Sequence, residues 1–558
     1  MTFRLRFVLF FLCFLFFVVI ARLFYWQVVK AEELSLLGRL QYGSFVKIFP
    51  ERGEIRTSDN FPIATNKLSY LVFANPKEVK DKISVTRELS SLLDLDKASI
   101  SALLSLDLSW VGIKSKVDNE TKQKIEKLNL PGVGLKQEYS RFYPEASMAA
   151  QLIGFVGKND LGEDKGYFGI EGYYDRQLKG KTGIATVVHD ALGKPILSKM
   201  DDYSGTVDGR SLILNIDRNI QFLVEDKLKK GIEKYGAVSG MIGIIDPKTG
   251  NILAMASFPS YDPREYQKFS DDLYRNPFIS NVYEPGSTFK TLVMSAGFDS
   301  KVVKPETRCN ICDKPVKIGK YEIRTWNNEY HKDVNMIEVI KYSDNIGMTF
   351  VAKSLGLSKM IEYFHKFGIS DLTGIDSQGE VSTPVKPEQN WYPIDLATAS
   401  FGQGISVTPI GLLSAFASIA NDGKRMEPHI VSKIETADRR TISINPKVLS
   451  TPINSATAKM MTEILVNAVD SGEAKWAKPK GYRIAGKTGT AQIPIAGHYD
   501  ANKTIASFIG FAPADDPKFA MIVIINQPTT SIYGAETAAP VFFDIAREVL
   551  AYYGIPPF

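Results

Sequence analysis

Two serine–lysine pairs have the spacing at which a lysine amine can take the proton of a serine nucleophile. The pattern S-x-x-K occurs at Ser44–Lys47 and at Ser287–Lys290. A serine hydroxyl attacks a carbonyl carbon when a neighbouring base removes its proton, and a lysine held away from water can lose its own proton and act as that base. The chemistry that these residues imply is acyl transfer through an acyl-serine.

The surroundings of the two serines favour Ser287. It follows a Pro-Gly break, and apolar residues then recur at helical spacing, at Phe289, Leu292, Val293 and Ala296. This pattern predicts a helix that begins near Ser287, with Lys290 one turn on and on the same face. The electropositive start of a helix suits a developing anion. A serine that merely caps the helix, beside a solvated Lys290, is the competing interpretation. Ser44 lies in a strand-like run, where residues three apart point to opposite faces.

Two further patterns, S-x-N and K-T-G, accompany S-x-x-K in one group of serine acyl enzymes. Each occurs three times, S-x-N at Ser58–Asn60, Ser343–Asn345 and Ser443–Asn445, and K-T-G at Lys181, Lys248 and Lys487. Apolar residues at helical spacing follow Ser343, whereas the other two S-x-N segments are typical of turns or loops. Lys248 falls in the turn of a predicted hairpin, and Lys181 precedes Ser287. The segment Lys487–Thr490 continues a predicted strand, where Gly489 would let a substrate backbone approach closely.

Taken together, these segments resemble the class B penicillin-binding proteins. The resemblance covers nearly the whole chain: Tyr283–Lys290, Phe401–Gly404, Val407–Pro409, Ser343–Asn345 and Lys487–Thr490 in the second half, and Arg52-Gly53, Arg141–Pro144 and Gly169–Gly172 in the first. It implies a monofunctional D,D-transpeptidase, more similar to the division (septal, FtsI-like) type than to the elongation type. It also implies that β-lactams acylate the same serine.

The resemblance assigns a role to each site residue. Ser287 would attack the penultimate carbonyl of a D-Ala-D-Ala stem peptide, with Lys290 as base. Ser343 would relay a proton to the leaving amine with Lys487 nearby, and Asn345 would hold the donor peptide. Thr488 and Thr490 would receive the terminal carboxylate, with Gly489 between them, and the backbone N–H groups of Ser287 and Thr490 would form the oxyanion hole. A second stem peptide would then resolve the acyl-enzyme; no cofactor or metal is required.

The predicted fold class is α/β (α+β), because strands are expected at both ends of the second half with helices between them. Three regions are predicted: a cytoplasmic start and transmembrane anchor (1–30), an N-terminal pedestal for dimerisation or partner binding (31–215), and a transpeptidase domain (216–558). The resemblance implies a five-stranded antiparallel sheet flanked by helices in the last region.

The N-terminus predicts a membrane anchor. Arg4 and Arg6 precede an uncharged apolar run from Phe7 to Ala21, and Tyr25 with Trp26 suits the membrane interface. A cleaved signal peptide is the alternative, but no small-residue cleavage site precedes Lys30. The positive charges before the span place the N-terminus in the cytoplasm and the bulk of the chain outside it.

The net charge of +5 over 558 residues gives no reason to expect nucleic acid. For Cys309 and Cys312, a disulfide or free thiols are favoured over a metal site. The resemblance implies stem peptides on lipid-linked glycan strands as substrate, and a SEDS-type membrane glycosyltransferase with division proteins as partners. Two alternatives remain open: a D,D-carboxypeptidase or β-lactamase of the same fold, and a membrane-anchored scaffold with a relic site.

Overall fold

The structure is a computed structural model that describes residues 3–34, 37, 43–160, 162–188, 203–495 and 498–557. Its helices are α1 (Phe3–Phe24), α2 (Lys82–Leu93), α3 (Lys97–Leu104), α4 (Asn119–Lys127), α5 (Ala150–Ile153), α6 (Gly169–Tyr173), α7 (Asp175–Leu178), α8 (Arg218–Tyr235), α9 (Pro277–Ser280), α10 (Lys290–Asp299), α11 (Met336–Lys341), α12 (Asn345–Leu355), α13 (Leu357–Phe367), α14 (Pro393–Ala399), α15 (Pro409–Ala417), α16 (Ser455–Ser471) and α17 (Ala538–Tyr552).

The strands are β1 (Gly43–Ile48), β2 (Ile55–Arg56), β3 (Pro62–Ala74), β4 (Val111–Val117), β5 (Val133–Phe142), β6 (Phe155–Lys158), β7 (Asp164–Tyr167), β8 (Gly183–Val188), β9 (Tyr203–Ser204), β10 (Ser211–Leu214), β11 (Ser239–Ile245), β12 (Ile252–Phe258), β13 (Val316–Ile318), β14 (Tyr321–Ile323), β15 (Arg425–Met426), β16 (Val431–Glu435), β17 (Thr441–Ser443), β18 (Val448–Ser450), β19 (Ala485–Ile495), β20 (His498–Ala512) and β21 (Phe519–Asn526).

The chain divides into two compact units. The smaller consists of residues 1–52 and 179–209, and the larger of residues 53–178 and 210–558. In the smaller unit, α1 continues through Val29 to give 27 exposed residues, and an 18-residue stretch of them has a mean hydropathy of 2.9, so the segment is long and apolar enough to cross a bilayer. The same unit contains an antiparallel sheet in the order β1-β8-β9. Ser44–Lys47 lies on β1, so the predicted strand there is confirmed.

A buried ion pair organises the first half of the larger unit. The Nε of Arg141, on β5, lies 2.6 Å from the carboxylate of Glu171, on α6, and both side chains are almost completely buried. The Nη1 of Arg141 also donates to the carbonyl oxygen of Gly53 at 2.8 Å. Three separated motifs of the first half therefore meet at one guanidinium, whose charge is paired and hydrogen-bonded as burial requires.

One seven-stranded sheet joins the two halves of the larger unit. Its order is β17-β16-β10-β2-β3-β4, with β5 paired to β3. Strands β2 to β5 come from the first half, whereas β16 and β17 come from the second half. The strands of the first half are therefore continuous, through backbone hydrogen bonds, with strands of the half that contains Ser287.

The second half is built on a five-stranded antiparallel sheet in the order β12-β11-β21-β20-β19. Alternate residues of β21 enter opposite cores: Val523 packs in the core that contains α8 and α17, and Ile522 packs in the core that contains α10 and α15. A sheet covered by helices on both faces requires this period-two alternation of buried side chains. The predicted sheet and its flanking helices are confirmed.

Several local predictions are confirmed. The predicted hairpin around Lys248 is formed by β11 and β12. Ser58–Asn60 is a turn. Cys309 and Cys312 form a disulfide, which settles the choice between a bond and free thiols.

Candidate active site

Ser287 lies where a tight turn leads into a buried helix. The turn Gly286–Thr288 is a 3₁₀ helix directly before α10. Gly286 has a φ of 57°, which favours glycine, and its N–H donates to the carbonyl of Gly402 at 3.1 Å. A Cβ on Gly402 would lie 2.2 Å from the Gly286 oxygen, so only glycine fits there. Ser287 itself is half-buried at the start of this helix.

Lys290 occupies the first turn of α10 and its side chain is fully buried. Its Nζ donates to the Ser343 hydroxyl oxygen at 3.2 Å and to the Asn345 amide oxygen at 2.8 Å, and it also contacts the Ser343 carbonyl oxygen. Burial, followed by the nearby charge of Lys487, holds the pKa of Lys290 well below its usual value. Burial therefore favours the neutral, proton-accepting form of the Lys290 amine.

The Ser343–Asn345 segment is shaped by a helix cap. Asp344 caps α12: its carboxylate accepts hydrogen bonds from the backbone N–H groups of Ile346 and Gly347 at 2.7 and 3.1 Å. Ser343, immediately before the cap, has a φ of 56°. Non-glycine residues in this region of backbone space are uncommon and often functional. The cap aims Ser343 and Asn345 at the same buried amine.

The Asn345 side chain is held at both ends. Its amide nitrogen donates to the carbonyl oxygen of Arg324 at 2.9 Å, while its amide oxygen accepts from Lys290. This arrangement fixes the orientation of the amide in the free enzyme.

The K-T-G segment lies on β19, the edge strand of the five-stranded sheet. Lys487 is 3% exposed and its Nζ donates to the hydroxyl oxygen of Thr488 at 3.0 Å. Burial lowers the pKa of Lys487, and the carboxylate of Glu473 opposes this shift. An edge strand leaves one row of backbone groups available for an extended peptide to pair with.

At Gly489 the strand lies close to the Gly286–Thr288 turn, called the nucleophile turn after the role proposed for Ser287. A Cβ added there would lie 2.8 Å from the Thr288 methyl carbon and 2.3 Å from the Ser507 hydroxyl. One residue further on, Thr490 accepts a hydrogen bond from the backbone N–H of Gly534 at 3.0 Å. The turn and the K-T-G strand therefore form adjoining walls.

The other copies of the patterns lie elsewhere. Lys248, in the β11–β12 turn, forms an ion pair with Asp516. Ser443 ends β17, in the sheet that joins the two halves. Lys181 pairs through its backbone with Val207 in the smaller unit. The structure brings together Lys290, Ser343, Asn345, Lys487 and Thr488 by direct hydrogen bonds and by the electrostatic effect of Lys487 on Lys290.

Sequence reasoning missed two contributors to this site. Glu473 accepts a hydrogen bond from Thr488 at 2.8 Å, and Gly534 donates to Thr490. Glu473 follows the end of α16 in a short turn and belongs to no motif, so no local pattern identifies it. Both contacts depend on how distant segments pack.

Comparisons with known proteins agree with this architecture. The family described as penicillin binding protein transpeptidase domain matches residues 240–547, and the family described as penicillin-binding protein dimerisation domain matches residues 47–214. The chain is 34% identical to stage V sporulation protein D of Bacillus subtilis over 99% of this chain and 86% of the relative. It is 30% identical to the peptidoglycan D,D-transpeptidase FtsI of Escherichia coli K12 over 97% and 90%.

A solved structure shows the same fold. The crystal structure of penicillin binding protein 2X from Streptococcus thermophilus superposes with a TM-score of 0.76 at 22% identity, covering 92% of this chain and 81% of the other. The pedestal, the five-stranded sheet and the two family matches lead to one conclusion: this chain belongs to the class B penicillin-binding proteins and is of the FtsI-like type.

Proposed function

We propose that this D,D-transpeptidase of cell-wall synthesis works through an acyl-enzyme on Ser287. The observation that carries the proposal is the fully buried Lys290 amine, which contacts Ser343 and Asn345 directly after the nucleophile turn. Ser287 Oγ attacks the penultimate carbonyl carbon of a D-Ala-D-Ala stem, and its proton passes to Lys290 Nζ. The ammonium that results meets three oxygen acceptors, the carbonyl and hydroxyl of Ser343 and the amide of Asn345.

Collapse of the tetrahedral intermediate breaks the C–N bond and releases D-alanine. The Ser343 hydroxyl oxygen accepts a hydrogen bond from Lys290, so the hydroxyl hydrogen of Ser343 is free to pass to the departing nitrogen. Lys290 then gives its proton to the Ser343 oxygen. The amine of a second stem peptide then attacks the Ser287 ester, a new peptide bond forms, and the proton returns to the serine. This sequence of steps balances the protons without any other reactant.

The K-T-G strand supplies the binding groups. The backbone N–H groups of Ser287 and Thr490 stabilise the oxyanion, and the hydroxyls of Thr488 and Thr490 receive the terminal carboxylate. The donor peptide pairs with the edge of β19, where Gly489 lets its backbone approach. β-Lactams place their carboxylate in the same position and acylate Ser287.

The wider role is proposed on separate grounds. The apolar α1 and the positive residues Arg4 and Arg6 support a single-pass protein of the cytoplasmic membrane, with the N-terminus in the cytoplasm and the bulk of the chain outside. We propose a septal role with a SEDS-type glycosyltransferase as partner, because the Phe401–Gly404 segment resembles that of the division type. The pedestal, proposed as residues 31–215, would contact such partners.

Covalent labelling with a fluorescent penicillin tests the proposal. We expect one labelled peptide, which contains Ser287, and loss of the label in Ser287→Ala. Ser44→Ala, at the other S-x-x-K pair, is the matched control and retains the label. A label on any other residue would contradict the site assignment.

Incubation of the protein with stem peptides, together with the penicillin label, separates the transpeptidase from the alternative functions. A crosslinked dimer of stem peptides indicates a transpeptidase, whereas release of D-alanine without crosslinking indicates a carboxypeptidase. Rapid loss of the penicillin label indicates a β-lactamase. Complementation by Ser287→Ala in cells that lack the protein would favour the scaffold.

A further inference from the structure

Glu473 holds the hydroxyl that the proposed function assigns to substrate binding. The Thr488 hydroxyl donates its hydrogen to the Glu473 carboxylate at 2.8 Å and accepts a hydrogen bond from Lys487 Nζ at 3.0 Å. A hydroxyl has one hydrogen to donate. The direction of both bonds is therefore fixed: Lys487 donates to Thr488, and Thr488 donates to Glu473.

This arrangement excludes a second acceptor for the same hydrogen. A substrate carboxylate that binds Thr488 is also a hydrogen-bond acceptor, and it carries the same charge as Glu473. Two carboxylates cannot share one hydroxyl hydrogen, and like charges at this distance repel. The contact between Thr488 and Glu473 must break when a carboxylate takes its place.

The charge of Glu473 also reaches both catalytic amines. Burial lowers the pKa of Lys290 and of Lys487, and Glu473 opposes the shift in each case. Both lysines are buried, where screening by solvent is weak. The carboxylate is thus placed to influence the base as well as the binding hydroxyl.

There is space beside Glu473 for its side chain to move. Glu473 lines a cavity of about 190 Å³ next to the Ser343–Asn345 segment. The titratable groups that line this cavity are Glu329, His331, Lys341, Tyr342, Asp344 and Glu473. One carboxylate oxygen of the buried Asp344, which also lines the cavity, has no hydrogen-bond partner.

We propose that Glu473 is a positioning residue that keeps the carboxylate site of the free enzyme closed. Glu473 accepts the Thr488 hydrogen in the free enzyme. When the carboxylate of a stem peptide or β-lactam binds, it replaces Glu473 as the acceptor, and the Glu473 side chain turns into the cavity. The inference rests on the proposed function, because it takes Thr488 as a carboxylate-binding residue. It adds a carboxylate that an anionic ligand must displace from Thr488, in place of an open hydroxyl.

The test compares benzylpenicillin with its uncharged methyl ester on full-length wild type, Glu473→Gln and Glu329→Gln. Glutamine keeps an acceptor for Thr488 but removes the charge. In Glu473→Gln we expect the dissociation constant of benzylpenicillin before acylation to fall about three- to tenfold, the range for one partly screened charge. The constant of the ester should not change.

The pH profile gives a second readout that a purely structural role would not change. Without the negative charge, the pKa of Lys290 falls further, so the acidic limb of the acylation rate moves to lower pH in Glu473→Gln. Glu329→Gln, whose carboxylate lines the same cavity, should match wild type in both readouts.

The outcomes separate this inference from the proposed function. If wild type is not labelled at Ser287, the function itself fails. If wild type is labelled but Glu473→Gln binds acid and ester with unchanged or equally changed constants, the inference is overturned. A lowered melting temperature would show that Glu473→Gln impairs the fold. In that case Glu473→Asp, which keeps both the charge and the acceptor, must restore the wild-type dissociation constants and pH profile for the inference to stand.

Discussion

The side-chain nitrogen of Lys290 lies 3.2 Å from the hydroxyl oxygen of Ser343, a residue 53 positions further along the chain. The nitrogen reaches Ser343 from the first turn of α10, and the hydroxyl is presented by the strained residue before the cap of α12. The contact therefore connects Lys290, one helical turn after the proposed nucleophile Ser287, to Ser343, the proposed proton relay. Four predictions follow from the arrangement around it and from the two units.

Removal of the Lys290 amine should abolish acylation. We expect Lys290→Met to lower the rate of penicillin acylation by about 10²- to 10⁴-fold, the range for a general base. Wild-type acylation needs the neutral amine, so its rate should be full above the lowered pKa of Lys290 and fall as the pH drops through it. Stopped-flow labelling across pH measures both effects. Lys248→Met, which removes an exposed lysine in the β11–β12 turn, is the control. An unchanged acidic limb of the acylation rate in Lys290→Met would contradict the assignment of the base.

A methyl group at Gly489 should separate the two walls of the site. In Gly489→Ala the new Cβ meets Ser507 and Thr288 at 2.3 and 2.8 Å, so β19 must move away from the nucleophile turn. We expect acylation to slow by at least about tenfold, because overpacking typically costs 1–3 kcal/mol. Gly112→Ala on β4, where the nearest atom is 3.5 Å away, should leave the rate unchanged. Wild-type kinetics in Gly489→Ala would show that the walls do not adjoin.

Loss of the buried guanidinium should destabilise the larger unit. Arg141→Met leaves the Glu171 carboxylate buried without its ion pair, and we expect the free energy of unfolding to fall by about 3–5 kcal/mol. Chemical denaturation measures the change. In the double variant Arg141→Met/Glu171→Leu the loss should be smaller, because no charge remains buried. Lys230→Met, which breaks an exposed pair with Asp226, should change stability little.

Removal of the apolar helix should release the protein from membranes. α1 and its continuation form 27 residues, more than the roughly 20 that a span needs, and an 18-residue stretch of them has a mean hydropathy of 2.9. We expect a variant without residues 1–30 to stay in the supernatant after centrifugation with lipid vesicles. The full chain should sediment and resist an alkaline wash. Sedimentation of the truncated variant would show that another segment binds the membrane.

Local patterns predicted much of the framework. The Pro-Gly break and the helical spacing after Ser287 predicted the turn that leads into α10, because a helix start depends on residues within a few positions. The same holds for the hairpin around Lys248. The disulfide could not be decided in advance, since the spacing of Cys309 and Cys312 also fits free thiols.

Site membership was harder to predict, because short motifs recur by chance. The chain contains three K-T-G segments and three S-x-N segments, and the pattern alone does not distinguish the copies of either kind. Context and family resemblance selected Lys487 and Ser343, and the fold places both at the buried Lys290 amine. Glu473 and Gly534 belong to no motif, so their contacts with Thr488 and Thr490 were not foreseen.

The sequence by itself determined where the chain is apolar enough to span a bilayer, where helices and strands begin, and which serine stands at a helix start. Those properties depend on neighbours within one or two turns of chain. The tertiary structure alone decided that a helix start, a capped loop and an edge strand come together around Lys290 and Lys487, and that a carboxylate holds Thr488. Such contacts join residues far apart in the chain, and they form only when both cores of the sheet pack.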